Sequence, residues 1–365
     1  MVIIVNVDRR LKDVTQLRSA KATINDVARL AGVSRATVSR VLNGKPGTSW
    51  PVRRRVHWAA AELDYRPNEN ARSLASGRQS AVDLIAIDSS SSLALGAHPY
   101  YSRVLAGVVT ALQTVNVQLH LQVIPENLAP ERIDALADNA TKGAIFANVT
   151  PGLALRFFRR CRKVISLVPT ASIVPAVEAD NTGGAFNAVE HLHKLGRRRI
   201  AAIHGPALNT CAIDRRTGYR QATQALALTD LSADGGFTPE GGYAAALRLL
   251  GEHPDIDAMF VACDVMATGA VQAIVSTGRR VPHDVCVIGF DDSYVAICNN
   301  PALTTMRVPI EDMAVTATRT LLTGTIPACH RQRFPVELVQ RDSTIRHPHH
   351  SALTTARKTP HLHTL

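Results

Sequence analysis

Hydroxyl and basic side chains crowd one short stretch of the chain, residues 34–40, which read Ser-Arg-Ala-Thr-Val-Ser-Arg. An arginine such as Arg35 can donate two parallel hydrogen bonds to the O6 and N7 atoms of guanine, and a small side chain such as Ala36 can contact the methyl group of thymine. Hydroxyl groups suit base or phosphate contacts, and Arg40 suits either. The side chains of this stretch that we predict to contact DNA are Ser34, Arg35, Ala36, Thr37, Ser39 and Arg40.

The pattern around these side chains predicts two short helices within residues 23–43, which would hold them rigidly. Thr23 can cap the first helix together with Asp26, three residues later, in a variant of the capping box. Gly32 suits the left-handed position that ends this helix, and Ser34 can cap the second one. Two helices joined in this way predict a helix-turn-helix unit, whose second helix enters the major groove by its N-terminal end.

A third helix is predicted from Pro51 to Leu63, after a loop at residues 43–47. Its three consecutive arginines, residues 53–55, suit phosphate contacts or a solvated surface. Residues 70–76 could form one more helix, but a helix of that length is not stable alone in water.

From residue 81 onward, short apolar runs alternate with segments of helical periodicity. This alternation predicts parallel sheets with helices on both faces, divided into two doubly wound subdomains with a cleft between them. The predicted strands are 82–87, 118–124, 143–149, 163–168, 199–205, 258–263 and 285–290. The predicted helices lie near 101–114, 130–139, 152–160, 183–195, 213–227, 239–251, 265–277 and 309–323.

The charge is distributed unevenly along the 365 residues. The whole chain has a formal net charge of +11. Residues 21–80 contain eleven basic and four acidic side chains, a net charge of +7, whereas residues 81–342 are close to neutral. A basic module on a neutral body indicates a polyanionic partner, although a solvated charged surface would give the same composition.

Nothing in the sequence predicts catalysis, a metal site or a cofactor. No G-x-G-x-x-G, P-loop or G-x-S-x-G motif is present, so we expect a protein that is not an enzyme. The six cysteines lack C-x-x-C spacing, which argues against a disulfide framework or a structural metal. No apolar run is long enough to cross a membrane and the start of the chain does not read as a signal peptide, so a cytoplasmic location is expected.

Two segments carry the features of a known family. Residues 23–44 read TINDVARLAGVSRATVSRVLNG, and residues 65–76 read YRPNENARSLAS. They resemble the headpiece of the lactose/galactose repressor family, and the resemblance continues through residues 81–342. It implies an N-terminal all-α helix-turn-helix headpiece and an α/β body like that of periplasmic binding proteins. It also implies a transcription regulator, by family habit a repressor, that binds a small-molecule effector.

The resemblance divides the chain into five parts and assigns a role to the linker. In such repressors the segment matching 70–76 folds into a helix only on DNA, and the residue matching Leu74 wedges between base pairs in the minor groove. Packing of Leu74 on the core is the alternative. The expected parts are a disordered extension at 1–20, the headpiece at 21–68, the hinge at 69–80, the effector-binding and dimerisation domain at 81–342 and a disordered tail at 343–365. Further DNA contacts are expected from Thr23, Asn43, Arg72, Leu74 and Ala75.

By the same resemblance, Arg215 and Asp291 should hydrogen-bond a small polar ligand in the cleft. Aspartate accepts hydrogen bonds from sugar hydroxyls, and arginine donates to hydroxyls or to an acidic group. Tyr101 would supply a stacking face and Ser91 another polar contact, although either could be an ordinary surface residue. The full set of expected effector contacts is Ser91, Tyr101, Arg215, Cys263, Asp264 and Asp291.

The cleft departs from the family pattern at two positions. Cys263 stands where relatives commonly have Asn, and Leu167 stands where many sugar-binding members have an acid. These departures disfavour a plain hexose or disaccharide and leave a smaller sugar, a sugar acid or a phosphorylated sugar open. The expected partners are pseudo-palindromic double-stranded operator DNA, a sugar-like effector and a second copy of the chain in a homodimer. The alternative is a solute-binding protein of the transport class without a regulatory role.

Overall fold

The protein consists of a small helical headpiece and a larger α/β body. The structure, a computed structural model, describes residues 2–5, 23–42, 46–63, 65, 80–88, 98–324 and 326–345. Among these residues no helix is long and apolar enough to span a membrane.

Three helices form the headpiece, and local capping sets where the first two begin and end. The backbone N and the Oγ1 of Thr23 donate hydrogen bonds to the Asp26 carboxylate at 2.9 and 2.7 Å. Gly32 ends the first helix in the left-handed conformation, with φ 65° and ψ 40°. Ser34 Oγ accepts a hydrogen bond from Thr37 N at 3.1 Å at the start of the second. The predicted capping is therefore confirmed. The helices are α1 (Ile24–Ala31), α2 (Arg35–Leu42) and α3 (Trp50–Glu62).

A compact core of small apolar side chains holds the three helices together. Every helix contributes one face to it, which leaves the opposite faces free for partners. Its buried members are Val27, Ala28, Ala31, Val38, Val41, Val56 and Ala59.

The first subdomain of the body is built on a sheet of seven strands in the order β1-β3-β2-β4-β5-β6-β12. Only β1 runs antiparallel to its neighbour. Its strands are β1 (Val2–Val5), β2 (Ala81–Asp88), β3 (Gln118–Pro125), β4 (Gly143–Ala147), β5 (Val164–Ser166), β6 (Ala176–Ala179) and β12 (Arg331–Phe334). Its helices are α4 (Pro99–Leu112), α5 (Ala129–Asn139), α6 (Pro151–Arg160) and α12 (Ile310–Leu322).

The second subdomain is built on a sheet of six strands in the order β13-β11-β10-β9-β7-β8. Here β13 alone runs antiparallel to its neighbour. Its strands are β7 (Ile200–His204), β8 (Leu231–Asp234), β9 (Ala258–Val261), β10 (Cys286–Asp291), β11 (Thr304–Arg307) and β13 (Glu337–Val339). Its helices are α7 (Asn181–Lys194), α8 (Thr210–Ala225), α9 (Pro239–Glu252), α10 (Asp264–Ser276) and α11 (Tyr294–Cys298).

The chain crosses between the two subdomains three times, from β6 to α7, from β11 to α12 and from β12 to β13. Segments that cross between two subdomains are the places at which hinge rotation can occur, and we call these three segments the crossover hinge. The predicted fold class, two doubly wound parallel-sheet subdomains behind a helix-turn-helix headpiece, is confirmed. The seven predicted strands and eight predicted body helices are all present, with ends that differ by a few residues.

Several predictions about the shorter elements and the ends of the chain are wrong. Five short strands were not predicted, because each contains a polar or charged residue and none lies in a continuous apolar run; they are β6, β8, β11, β12 and β13. Within the extension at 1–20, residues 2–5 form a strand instead of being disordered. The tail does not begin at residue 343: Ser343 is fully buried, and its Oγ donates to Val287 O at 2.6 Å. Thr344 is also buried, 2.7 Å from Thr304 between the hydroxyl oxygens.

Candidate DNA-binding surface and effector cleft

The second helix of the headpiece, α2, presents its polar side to solvent. Val38 and Val41 point into the core, whereas Arg35, Ala36 and Arg40 are exposed. Neither of these arginines has an ion-pair partner among the described residues, so their donors are available to base edges or phosphates. Ser34 and Thr37 lie beside them, with their hydroxyl oxygens 2.9 Å apart. The structure thus places Ser34, Arg35, Ala36 and Thr37 at the N-terminal end of α2, whereas Arg40 lies in its last turn.

Some of the predicted DNA contacts are placed and others are not. Thr23 caps α1, and its hydroxyl donates to Asp26, so its first role is to begin that helix. The remaining predicted contacts in the loop and the hinge lie outside the described residues; they are Asn43, Arg72, Leu74 and Ala75.

Arg215 is the centre of a buried polar network in the body. Its side chain projects from α8, and three of its nitrogen atoms donate in different directions. Nη2 donates to the Asp291 carboxylate at 2.9 Å, Nε donates to Asn181 Oδ1 at 2.8 Å, and Nη1 donates to Ala262 O at 2.6 Å. The guanidinium carbon also lies 3.9 Å from the centre of the Phe290 ring. The structure therefore pairs the two predicted effector contacts Arg215 and Asp291, which lie 76 positions apart in the sequence.

The charge on Arg215 is retained although the side chain is only 6% exposed. Burial by itself lowers the pKa of Arg215, but the combined effects of the Asp291 carboxylate, Cys211 and Cys263 exceed that lowering, so the pKa of Arg215 is raised. Asp291 adopts a φ of 106°, a conformation that is uncommon for residues other than glycine. Outliers of this kind are concentrated at binding sites, where surrounding contacts hold them in place.

The first subdomain faces this network through the start of α4. His98 caps α4, with its Nδ1 accepting a hydrogen bond from Tyr100 N at 3.2 Å. Burial lowers the pKa of His98, and Asp291 and Arg215 of the second subdomain both act on it electrostatically. Its ring centre lies 6.3 Å from that of Tyr101 and 6.3 Å from that of Phe237, which belongs to the second subdomain. Aromatic rings thus line the cleft from both sides.

Tyr100 places a buried hydroxyl group beside the same charges. Its Oη has no hydrogen-bond partner among the described residues. Burial raises the pKa of Tyr100 well above its usual value, with smaller effects from Cys211 and Asp291. A buried hydroxyl left without a partner costs about 1–3 kcal/mol, which a polar ligand or a water molecule would recover.

A chain of three polar side chains crosses the cleft near the aromatic rings. Asn209 Nδ2, at the start of α8, donates to Asn148 Oδ1 of the first subdomain at 2.8 Å. Asn148 Nδ2 is 3.3 Å from Tyr101 Oη and donates to it. Asn148 follows β4 with a φ of 60°, a left-handed position in which Asn is favoured. The predicted contact residue Tyr101 is therefore in the cleft.

A second cross-connection comes from Arg103 of α4. It donates through Nη1 to Asp291 O at 2.7 Å and through Nη2 to Val308 O at 3.0 Å. Its Nε and Nη2 also reach the Glu311 carboxylate at 2.6 and 2.7 Å. Arg103 thus connects α4 of the first subdomain to the backbone at the end of β10 and at the crossing from β11 to α12.

The predicted contacts Cys263 and Asp264 are both buried in the second subdomain. Cys263 begins α10, and its Sγ accepts a hydrogen bond from Met266 N at 3.4 Å. The Asp264 carboxylate accepts from Ser293 N, Ser293 Oγ and Thr305 Oγ1 at 2.7, 3.0 and 2.6 Å. Burial raises the pKa of Asp264 to about 7. Both carboxylate oxygens of Asp264 accept hydrogen bonds within its own subdomain, so Asp264 positions the segment after β10. The geometry therefore disfavours a direct contact between Asp264 and an effector. The remaining predicted contact, Ser91, lies outside the described residues.

A polar cavity of about 370 Å³ adjoins this network at the crossover hinge. Asn181 lines it and also accepts the hydrogen bond from Arg215 Nε. Charged side chains from both subdomains form the other walls, among them Glu178, Asp214 and Arg333.

Sequence reasoning missed several residues that complete the cleft. They share no motif and come from unrelated turns and helix starts, so no local signal marks them. The missed residues are His98, Tyr100, Arg103, Asn148, Asn181, Asn209 and Phe237. The positive φ angles of Asn148 and Asp291 are visible only in the folded chain.

Two family models match the chain. The model described as "Bacterial regulatory proteins, lacI family" matches residues 23–68, which contain α1, α2 and α3. The model described as "Periplasmic binding protein-like domain" matches residues 189–344, which contain most of the second subdomain.

Proteins of known role resemble the chain over most of its length. The HTH-type transcriptional regulator CelR of Thermobifida fusca is 33% identical, over 89% of this chain and 99% of that protein. The ribose operon repressor of Halalkalibacterium halodurans is 30% identical, over 88% of this chain and 97% of that protein. The lactose operon repressor of Escherichia coli K12 is 31% identical, over 88% and 91%.

Solved structures agree with the fold. A transcriptional regulator CelR-cellobiose complex superposes with a TM-score of 0.67 at 33% identity, covering 88% of this chain and 99% of that one. A lac repressor dimer bound to operator and the anti-inducer ONPF superposes with a TM-score of 0.68 at 26% identity, covering 90% and 100%. These relatives are transcriptional regulators.

Proposed function

Because this chain belongs to the lacI family of bacterial regulatory proteins, and so is a DNA-binding transcriptional regulator, we propose that a small sugar or sugar derivative bound in its cleft controls its affinity for operator DNA. The proposal includes a homodimer, since pseudo-palindromic operators present two half-sites about one helical turn, or a multiple of it, apart. The cytoplasm is the compartment in which such a protein meets its DNA.

The surface proposed to read DNA is the N-terminal end of α2. Arg35 there is exposed and without an ion-pair partner among the described residues, as a residue reserved for guanine would be. In the segment 69–80, between headpiece and body, Arg72, Leu74 and Ala75 are proposed to enter the minor groove, with Leu74 as the apolar wedge. Phosphate contacts by the basic headpiece make operator binding fall steeply with salt.

The single observation that supports an effector in the cleft is the buried pair of Arg215 and Asp291 facing the unpartnered hydroxyl of Tyr100. The pair offers acceptors and donors of opposite charge, and Tyr100 offers one more hydroxyl from the opposite subdomain. A molecule with several hydroxyl groups could satisfy all three at once. Aromatic rings such as Tyr101 and Phe237 suit the apolar faces of a sugar ring.

The cleft also supports a specific view of ligand class. Leu167 is buried in the core and offers no acceptor, and Cys263 offers only a weak one. We therefore propose a ligand with fewer equatorial hydroxyl contacts than a plain disaccharide requires, such as a smaller sugar, a sugar acid or a sugar phosphate. Cellobiose, found in the CelR complex, is the disaccharide to compare with it.

Control of DNA binding would follow from the connections across the cleft. A ligand that changes the separation of Asn148 and Asn209, or of Arg103 and the Asp291 carbonyl, shifts the equilibrium between two arrangements of the subdomains. Such a ligand acts only through its different affinity for the two states, with a coupling on the order of 1–3 kcal/mol. The segment 69–80 leads directly into β2 of the first subdomain. A change in the arrangement of the subdomains would reach the headpieces through this segment.

A thermal-shift screen of sugars, sugar acids and sugar phosphates tests the proposal. A ligand that raises the Tm of the wild-type protein is then added to protein on its selected operator. We expect Arg215→Ala to lose both the Tm shift and the effector response while still binding operator. Arg216→Ala is the matched control, because Arg216 is the next residue of α8 and pairs with the more exposed Asp234. An Arg215→Ala protein that still responds to the ligand would exclude the proposed site.

A further inference from the structure

The strand β1, at the start of the chain, lies outside both regions that the family models match. Val2–Val5 pairs antiparallel with β3, in the register Val2 with Gln122 and Val5 with Leu119. The four residues read Val-Ile-Ile-Val, all β-branched, a composition that strongly favours a strand. Without β1, the backbone N–H and C=O groups of β3 would lie on an unpaired edge of the sheet, which proteins generally protect.

The direction of β1 decides where the chain goes next. Leu119 of β3 pairs with Val5 on one side and with Val82 of β2 on the other. Neighbouring strands are about 4.8 Å apart, so Val5 and Val82 lie roughly 10 Å from each other. Because β1 is antiparallel to β3, and β3 is parallel to β2, the chain leaves β1 at the same end of the sheet at which it enters β2.

The headpiece lies in the part of the chain between these two points. Residues 6–22 separate β1 from Thr23, and the segment before Ser80 joins the headpiece to β2. We propose that β1 is an anchor strand, which docks on β3 of its own chain and ties the headpiece to the body from its N-terminal side. The headpiece is then tethered at both of its ends, to two points on the same end of one sheet.

A second tether restricts the free headpiece. Whatever their conformation, the seventeen residues 6–22 span no more than about 60 Å, the length of a fully extended chain. Docking of β1 therefore holds Thr23 within that distance of the end of the sheet at which β2 begins. When β1 is docked, the headpiece has fewer orientations available to it in the absence of DNA. It therefore loses less orientational freedom when the segment 69–80 folds on DNA.

Engineered disulfides test the docking and its register. Directly opposed residues of an antiparallel pair have Cα atoms 4.5–5.5 Å apart, within the range a disulfide needs, whereas diagonal residues are about 7–8 Å apart. We therefore combine Ile3→Cys with Leu121→Cys, which are opposed. The matched control combines Val5→Cys with the same Leu121→Cys. Both variants carry Cys298→Ser and Cys329→Ser, which remove the two exposed native thiols.

We expect the opposed pair to oxidise readily within one chain, giving a species of monomer mass on a non-reducing denaturing gel. The diagonal control should oxidise much more slowly. Equal rates for the two variants would overturn the register. Covalent dimers would overturn docking on the same chain, because they mean that β1 comes from a second copy.

The tethering has its own readout, because both tryptophans of the chain are on α3. The body contains no tryptophan, so the tryptophan anisotropy depends on the motion of the headpiece and not on motions within the body. We expect the double variant Ile3→Pro/Ile4→Pro, which removes two backbone donors from β1, to lower the anisotropy of the full-length protein without DNA. Val7→Pro, two residues after Val5 in the sequence, is the control and should leave the anisotropy unchanged. Oxidising the opposed cysteine pair should hold the anisotropy at or above the wild-type value.

The result that would overturn the tether is an anisotropy that does not change when β1 carries two prolines. The measurement does not depend on operator or effector, so it fails or succeeds separately from the proposed function. A body Tm close to its wild-type value shows that the rest of the body of the proline variant is folded. If the proline variant does not fold, the same anisotropy measurement is made on a variant in which residues 2–5 are deleted.

Discussion

The headpiece and the body form their candidate binding surfaces in different ways. In the headpiece, six of the seven positions 34–40, in and just before one short helix, supply most of the proposed DNA contacts, above a core whose buried members are all valine or alanine. In the body, the cleft draws on side chains between His98 and Asp291, supported by large buried residues such as Phe146 and Tyr219. A surface on one helix depends on local periodicity, whereas a cleft depends on the whole fold.

The difference has a consequence for stability. A domain as small as the headpiece buries too little apolar surface to have much stability in reserve, whereas the body has two extended sheets and several buried clusters. Changes to one unit should therefore leave the other intact, and four measurements test that separation.

The largest expected effect is on the headpiece core. Val38 is fully buried on α2, so Val38→Asp places an unpaired carboxylate among apolar side chains and should cost roughly 4 kcal/mol, enough to unfold the headpiece. Tryptophan fluorescence would report the loss at α3, while the Tm of the body stays the same. Ala36→Asp, on the exposed side of the same helix, is the control for an added charge. A fall in the body Tm would contradict the separation.

A truncation should do the reverse and weaken only the body. Ending the chain at Asp342 removes Ser343, whose Oγ accepts from Thr304 N at 2.8 Å and donates to Val287 O. Leaving those groups unpaired should lower the free energy of unfolding of the body by about 3 kcal/mol. Ending the chain after Ile345 should cost nothing measurable. Denaturant titrations of both forms decide the matter, and equal stabilities would mean that the buried bonds of Ser343 contribute nothing.

Acid should weaken the body through His204. This residue of β7 is fully buried, and neither ring nitrogen has a partner among the described residues. Burial, followed by the charge of Arg216, lowers its pKa to about 4. Between this value and the unfolded value near 6.5, the unfolded chain binds more protons, so stability is lost as pH falls through that range.

The expected size of this loss is roughly 3 kcal/mol, at 1.36 kcal/mol per pKa unit. Asp264 has the opposite effect on stability. Its pKa is raised in the folded state, so at acidic pH the folded chain binds more protons at this site than the unfolded chain does, and this contribution to stability grows as the pH falls. The His204→Phe variant lacks the histidine and keeps Asp264, so a comparison of this variant with the wild type isolates the contribution of His204. The unfolding free energy of the variant should decline less between pH 6.5 and pH 4 than that of the wild type; parallel declines would rule out His204 as the cause.

The smallest expected effect concerns specificity alone. Arg35→Ala should relax the base preference at one operator position by about 1–3 kcal/mol, without changing the stability of either unit, because Arg35 is exposed. Arg29→Ala is the matched control, since Arg29 is also an exposed headpiece arginine but pairs with Asp26 on α1. Selection of binding sites from random duplexes compares the two. A preference that survives Arg35→Ala would exclude a reading role for that residue.

The capping of α1 and α2 shows what could be predicted from the sequence. Thr23, Asp26, Gly32 and Ser34 act on residues three or four positions away, so their spacing alone places both helices. Long body elements were predicted for a similar reason, since eight or more residues show a clear period. Arg215 and Asp291 were identified only through the resemblance to the lactose/galactose repressor family.

The sequence by itself determined the order of the elements, the position of the headpiece and the face of α2 that carries Arg35, because each of these depends on contacts within one or two helical turns. Only the tertiary structure decided that Tyr100 and Asn209 meet in one cleft, that Asp264 is turned inward and that β1 returns to the edge of β3. Those outcomes depend on which strands become neighbours. Strand pairing joins residues more than a hundred positions apart, and no local period records it.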